Sequence, residues 1–332
     1  MNSVSSAQRL LQIKDLTVRL GSGVVAVDSV SFELDRGECL ALVGESGCGK
    51  TLTALSLLRA IPPEAGTTSA TSINLDGCEL MELSRRRLRS VRGGRISMIF
   101  QDPTMALNPL FTIGGQIVET IGAHLNISRA AALERASSVL EDVGLKDTRR
   151  FLGLYPHELS GGQCQRAMIA VALSTEPEIL IADEPTTALD VTVQRQILDL
   201  LIMLSREKGL ALLLITHNLS LVAHLADRVL IMYAGQIVES AAVDEIFASP
   251  CHPYTRALLE CIPKLDVKTD APATIPGNVP APGHWPAGCR FRERCSMARS
   301  GCEKDQQLRC LEDRPDSRVR CWLAAAGKLR NN

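Results

Sequence analysis

Eight consecutive residues, Gly44-Glu45-Ser46-Gly47-Cys48-Gly49-Lys50-Thr51, fit the pattern G-x-x-x-x-G-K-[ST]. An apolar run, CLALVG, leads into them and a helix-like segment, TLTALSLLRAI, follows. In that setting the glycines let the backbone curl so that successive N–H groups converge on phosphate oxygens, and the start of the helix adds partial positive charge. Lys50 is then placed to neutralise terminal phosphates, and the Thr51 hydroxyl to ligate Mg²⁺. Cys48 admits two readings, a thiol made reactive by N–H dipoles and Lys50, or a small filler residue.

A second constellation closes the run Glu178-Ile-Leu-Ile-Ala182, where Asp183 and Glu184 stand side by side. Burying two carboxylates at a strand end costs several kcal/mol (roughly 2 to 7 per polar group) unless each has a partner, and a hydrated magnesium ion is such a partner. Asp183 is expected to hold the ion and Glu184 to polarise an attacking water as general base.

These groups need a scaffold. Alternation in VAVDSVSFEL, the turn Asp35-Arg36-Gly37 and the apolar CLALVG predict a strand, a turn and a strand buried on both faces. Further strands are predicted over Arg95–Phe100, Glu178–Ala182 and Ala211–Thr216, and helices over Arg129–Val143 and Val191–Lys208. ADRVLIMYAG and QIVESA read as a hairpin turning at Ala234-Gly235. The alternation of strands and helices predicts an α/β domain with a largely parallel sheet. Prolines crowd together after Pro263, which places a boundary there, with residues 1–262 as one domain and 263–332 as an extension.

Leu159-Ser160-Gly161-Gly162-Gln163 goes beyond a generic phosphate-loop protein, and over roughly residues 8 to 262 the chain resembles the ATP-binding cassette (ABC) family. The same order holds Gln101 in FQDP, the D-loop Ala188-Leu189-Asp190 and His217 in ITHN. The resemblance implies an ABC-type P-loop NTPase: a parallel core sheet, an antiparallel β subdomain and a helical signature subdomain at about 103–175. It implies ATP and Mg²⁺ as ligands, with residues 44–51 on the nucleotide and Thr51, Gln101 and Asp183 on the magnesium. Glu184, His217 and Gln101 take the catalytic roles. The signature would close on the γ-phosphate bound by a second cassette, so a lone chain is expected to hydrolyse poorly. Family members stack adenine on an aromatic before the second strand. Leu20 occupies that place here, which predicts weaker or less selective base binding.

Three stretches, FQDPTMALNPLFTIGGQIVE, YPHELSGGQCQRAMIAVAL and SPCHPYTRALLECIPKL, narrow the resemblance to the ATPases of dipeptide and oligopeptide importers, a group with nickel and glutathione relatives. The tail, IPGNVPAP followed by GCRFRERC, resembles the extension of those subunits. In it Cys289, Cys295, Cys302 and Cys321 match a four-cysteine pattern that in the family can hold a [4Fe-4S] cluster. Zinc takes the same ligands, although structural zinc sites favour closer pairs, and free structural thiols are the third reading. The resemblance implies two transmembrane permease subunits, a second ATPase subunit that is more often a paralogue, and an extracytoplasmic peptide-binding protein. It places the chain peripherally on the cytoplasmic face of the inner (plasma) membrane. Di- and oligopeptides lead as the solute, with nickel chelates, glutathione and opines behind.

Composition limits the alternatives. Of 332 residues 45% are hydrophobic and 22% charged, with a formal net charge of -1, which gives no global electrostatic case for nucleic acid. Nine basic residues between Arg290 and Arg320 are offset by six acidic ones without aromatic interleaving, so nucleic acid is not an expected partner. The stretch from Thr51 to Leu159 shows no sustained heptads, unlike the coiled-coil insertions of DNA-repair cassettes. The N-terminus lacks a signal-peptide core, and no apolar run is long enough for a membrane span.

Overall fold

The computed structural model describes residues 9–187, 189–262 and 274–326. The predicted boundary at 263 and the D-loop residue Ala188 therefore lie outside the described residues. The chain forms two compact units interleaved in sequence, one comprising Met1–Leu10, Leu34–Cys39 and Glu82–Ile215, the other Leu11–Glu33, Leu40–Met81 and Thr216–Asn332.

In the first unit the strands Ile96–Ile99, Ile179–Asp183 and Ala211–Thr216 pair in parallel, in the registers Ile96↔Ile179 and Ile179↔Ala211. All three are buried along their length, as their unbroken apolar sequences require. Helices Ile113–His124, Arg129–Asp142, Thr148–Gly153 and Gly161–Leu173 pack on one another in the stretch where a helical subdomain is expected. The long helices begin behind side chains with an oxygen to offer, since Thr112, Ser128, Ser160 and Asp190 each accept a hydrogen bond from a backbone N–H in the first turn. The helix Val191–Lys208 then ends at Gly209, which takes a left-handed φ of 63°.

The second unit carries two sheets. One is antiparallel, with Arg9–Leu20 at its centre between Val25–Asp35 and the strands Gly66–Ser69 and Ser72–Leu75. The other sets Cys39–Val43 parallel to Arg228–Tyr233, which turns back antiparallel as Gln236–Ala242. The hairpin turns at Ala234 (φ 44°) and Gly235 (φ 81°), two positive angles that fit a tight type I′ connection. The cysteine-rich tail extends this sheet. Its strand Arg314–Val319 pairs with Gln236–Ala242 at Glu239↔Val319, and Arg309–Leu311 lies beyond it. These two strands are not foreseen in the sequence. Among the described residues no helix is long and apolar enough to cross a membrane.

Candidate functional site

The phosphate loop belongs to the second unit. It leaves the buried strand Cys39–Val43 at Gly44, where a Cβ would fall 2.2 Å from the Met232 carbonyl oxygen, so only glycine fits. Gly49 caps the helix Lys50–Leu57 with φ 107°, a left-handed conformation that costs glycine little. Lys50 is 5% exposed, and its Nζ donates to the carbonyls of Gly44 (2.8 Å) and Glu45 (3.1 Å). The ammonium is thus held at the mouth of its own loop, while Ser46, Gly47 and Thr51 are exposed.

Glu45 is tethered at both ends. Its backbone N–H donates to the Tyr254 hydroxyl (3.0 Å), and its carboxylate takes a two-pronged ion pair from Arg294. Sequence reasoning did not single out Tyr254 or Arg294. Their signal was a run of arginines between two cysteines and a Pro-Tyr at a helix start, which acquire meaning only through contacts more than 200 residues away. Cys48 is fully buried, and that burial raises its thiol pKa against the opposing pull of Lys50. Burial therefore favours the small-filler reading of Cys48 over the reactive thiol. Leu20 ends its strand half-buried, with its N–H donating to Val24 O (2.8 Å). His217 is exposed just past the strand Ala211–Thr216, next to Asn218, which caps the following turn of helix by accepting from Ser220 N–H.

The first unit holds the acidic pair. Asp183 is 3% exposed at the end of its strand. Glu184 has φ 46°, a strained angle for a residue with a Cβ, and such strain persists where the surroundings enforce it. Its N–H donates to Ile215 O (2.9 Å), which locks the backbone. The Thr187 hydroxyl donates to Glu184 Oε2 (2.9 Å), and Gln101 Nε2 reaches the same oxygen at 3.5 Å. The structure therefore brings Gln101 and Glu184 together, and it adds Thr187, which the sequence reading missed.

The signature opens a helix in the same unit. The Ser160 hydroxyl accepts from Gln163 N–H, and Gln163 Oε1 accepts from Ser160 N–H (3.0 Å), a reciprocal cap that fixes the turn Ser160-Gly161-Gly162-Gln163. Leu159 precedes it, and the added Cβ of Gly161 and Gly162 would lie 3.7 Å from Leu189 and 3.1 Å from Val193. The signature thus sits against the D-loop and the helix that Asp190 caps.

In the tail, Cys289, Cys295, Cys302 and Cys321 line one small cavity with His252, Phe291 and Trp322. Burial raises the thiol pKa of Cys289 to about 11, with added repulsion from the other three sulfurs. Cys295 and Cys321 are raised by burial too. Among the described residues, however, no group of three or more His, Cys, Asp or Glu could hold a metal ion. No preassembled zinc site is supported among the described residues. No preassembled [4Fe-4S] site is supported either. Cys310 is exposed and outside this group.

Comparison with known proteins agrees with this arrangement. Residues 27–187 match the ABC transporter family model, and residues 238–302 match that of the oligopeptide/dipeptide transporter C-terminal region. The chain is 46% identical to a probable peptide ABC transporter ATP-binding protein of Sinorhizobium fredii over 97% of both chains. It is 44% identical to the oligopeptide transport ATP-binding protein AppD of Bacillus subtilis, over 95% of this chain and 96% of that one. Among solved structures it resembles cbiO1 of Clostridium perfringens, part of an ABC transporter complex, with TM-score 0.62 and 26% identity, covering 73% of this chain and 92% of that one. It also resembles the dimeric bacterial ABC transporter cassette MJ0796, with TM-score 0.61 and 28% identity, covering 70% and 99%. With a phosphate loop, a signature turn and an acidic strand end in the family's order, and a tail of the oligopeptide type, this chain belongs to the ABC transporter ATP-binding proteins.

Proposed function

We propose that the chain is the ATP-hydrolysing subunit of an importer that moves di- or oligopeptides across the cytoplasmic membrane. The observation that carries this reading is the joint presence of the cassette family match over residues 27–187 and the oligopeptide-type tail match over residues 238–302. Phosphates of ATP replace the carbonyls of Gly44 and Glu45 as partners of Lys50, and backbone N–H groups of the loop receive the remaining oxygens. Magnesium, if bound, would lower the charge on the phosphate oxygens. Thr51, Asp183 and Gln101 are the side chains suited to it. Glu184 takes the proton of the attacking water as that water adds to the γ-phosphorus and ADP leaves, and His217 orients the pair.

Ser160, Gly161 and Gly162 present donors at a helix start, where an anion is favoured. In the proposed mechanism this anion is the γ-phosphate of a partner cassette, a paralogue in the leading arrangement, so a lone chain is expected to hydrolyse poorly. Two permease subunits complete the motor, together with an extracytoplasmic peptide-binding protein. Support for permease docking comes from Phe100, Met105, Leu110 and Phe111, four apolar side chains left exposed within one short stretch after the strand Ile96–Ile99. That stretch includes Gln101, so a push on it acts directly on the partner of Glu184. The domain reading, a cassette over 1–262 with a helical part at about 103–175 and a tail from 263, belongs to the same proposal.

The four tail cysteines, which line one cavity, are proposed to hold a [4Fe-4S] cluster, with zinc as the alternative occupant of the same thiolates. Binding requires deprotonation of thiols now raised in pKa, so loading is expected to release protons and to be favoured at higher pH. Iron and acid-labile sulfide in anaerobically purified chain, lost in the Cys295→Ser variant, test it, and an iron-free sample refutes it. For the motor itself, the chain is purified from its native membrane and the bound subunits are identified. Recovery of two membrane subunits and a second cassette is expected, with ATP turnover stimulated by peptide-loaded binding protein. Recovery of nucleic-acid or ribosomal partners instead overturns the reading.

A further inference from the structure

The segment between Cys289 and Cys295 contributes three side chains to the surroundings of the phosphate loop. Arg290 donates to Ala234 O (2.6 Å) and to the Asp28 carboxylate, with its guanidinium 3.5 Å above the Trp285 ring. Phe291 packs against Tyr233 and Tyr254, with ring centroids 5.2 and 5.3 Å apart. Arg294 reaches Glu45 through two parallel hydrogen bonds of 3.0 Å each. A second strut meets the loop further along, because Gly235 N–H, next to the carbonyl gripped by Arg290, donates to Cys48 O (2.9 Å).

Arg294 is fully committed. Its side chain is 6% exposed. Beyond Glu45 it donates to Pro276 O (2.8 Å), Ile275 O (3.3 Å) and Tyr233 Oη (3.3 Å), which with the two-pronged pair gives every guanidinium N–H an acceptor. Glu45 is equally fixed, with its N–H on Tyr254 and its carbonyl under Lys50. A carboxylate on a loop that receives a triphosphate is an electrostatic liability, since like charges at short range repel strongly outside bulk water. Arg294 cancels that charge and holds the side chain to one side.

We propose that Arg294 is a positioning residue for nucleotide binding: acting from the cysteine-rich tail, it neutralises and anchors Glu45 and so keeps the phosphate loop receptive to ATP. The proposal rests on the reading of that loop as the ATP site. It also gives the tail a role in nucleotide affinity that reaches the loop through Glu45.

The test is MgATP binding to the purified full-length chain by calorimetry, for wild type, Arg294→Gln, Glu45→Gln and the double variant. Arg294→Gln leaves an uncompensated carboxylate beside the phosphates and is expected to weaken MgATP binding about tenfold. Glu45→Gln removes the liability itself and is expected to lose no more than about threefold. The double variant should return to the level of Glu45→Gln. Such rescue is not what a tail-fastening ion pair gives, because there the double variant binds no better than Arg294→Gln. Unchanged affinity in Arg294→Gln, or a double variant as weak as Arg294→Gln, overturns the proposal. If circular dichroism shows that Arg294→Gln does not fold, Arg294→Lys replaces it, keeping the charge and losing the fork. An approximately threefold weakening, restored by Glu45→Gln, is then expected, and wild-type affinity overturns the proposal. Failure of wild type to bind MgATP, or equal binding by Lys50→Ala, sinks the ATP reading instead.

Discussion

Two glutamates beside the candidate motifs, one in each unit, are held in contrasting ways. Glu45, on the phosphate loop, is gripped by a nearly buried guanidinium and pinned through its own backbone, so its charge is cancelled and its position fixed. Glu184, at the end of the acidic strand, accepts from a threonine hydroxyl at 2.9 Å and an amide at 3.5 Å, on a backbone forced to φ 46°. A carboxylate that only shapes a loop is best neutralised by a permanent cation. One that must accept a proton keeps its charge available and is oriented by groups that let go. The contrast separates an anchoring acid from the proposed base in a sequence where both are simply glutamate beside a motif.

The largest expected effect tests the reacting acid. Glu184→Gln preserves shape and hydrogen bonding but removes the base, and turnover by the assembled complex should fall about a hundredfold or more, with MgATP binding retained. Near-normal turnover breaks the contrast at its root. Next comes the rigidity of the phosphate loop. Gly44→Ala drives a methyl to 2.2 Å from Met232 O, backbone against backbone, and should cost about 3 kcal/mol in chemical denaturation. Wild-type stability in that variant means the loop is not fixed as described.

Base recognition provides a third test. With Leu20 half-buried at its strand end and no aromatic in VRLGSGVVAV, GTP should compete with MgATP within about tenfold, because an aromatic platform contributes about 1–3 kcal/mol per base. GTP binding a hundredfold weaker than ATP refutes this.

Legibility in the sequence followed the range of the interactions. The helix Val191–Lys208 emerges with the predicted bounds because its signals are local, Asp190 before it and Gly209 after it. The turn at Ala234-Gly235 and the phosphate loop are legible for the same reason, since each is specified by a few neighbouring residues. The tail strands Arg309–Leu311 and Arg314–Val319 escaped. Pro315 lies in the second of them, near the bulge where register shifts between Cys310 and Leu311, and proline in a short segment argues against a strand. The second strand's partner, Glu239–Ser240, is distant in sequence. Thr187 and Arg294 went unread because a threonine or an arginine signals nothing until the fold puts a carboxylate opposite it.

A finer probe of the reacting acid is Thr187→Val, which deletes one neutral hydrogen bond to Glu184 Oε2 and keeps the side-chain volume. A net hydrogen bond of about 1 kcal/mol corresponds to about fivefold, and that loss should appear in kcat with MgATP affinity unchanged. A rise in KM alone would mean that Thr187 serves the loop and not the base.

The smallest effect comes from a third glutamate, which shows the anchoring mode away from the phosphate loop. Glu178, just before the strand Ile179–Asp183, is hydrogen-bonded by Arg95 through Nε and through NH2 (3.1 Å), and by Arg36 (3.4 Å). The hydrogen bond from Arg95 is the leading cause that holds its carboxyl below the usual 4.5, against a burial that opposes it. A depressed pKa in the folded state means that the unfolded chain takes up the proton first as pH falls. The contribution of the pair is therefore present in full above pH 4.5 and lost as pH drops through the folded value. The side chains are 31% exposed, so the stabilisation is of order 1 kcal/mol. Urea midpoints at pH 7 and near pH 3.5 should differ less in Glu178→Gln than in wild type. An identical pH dependence in the two proteins would show that a guanidinium clamp on a carboxylate is electrostatically silent in this fold, and would weaken by analogy the role assigned to Arg294 on Glu45.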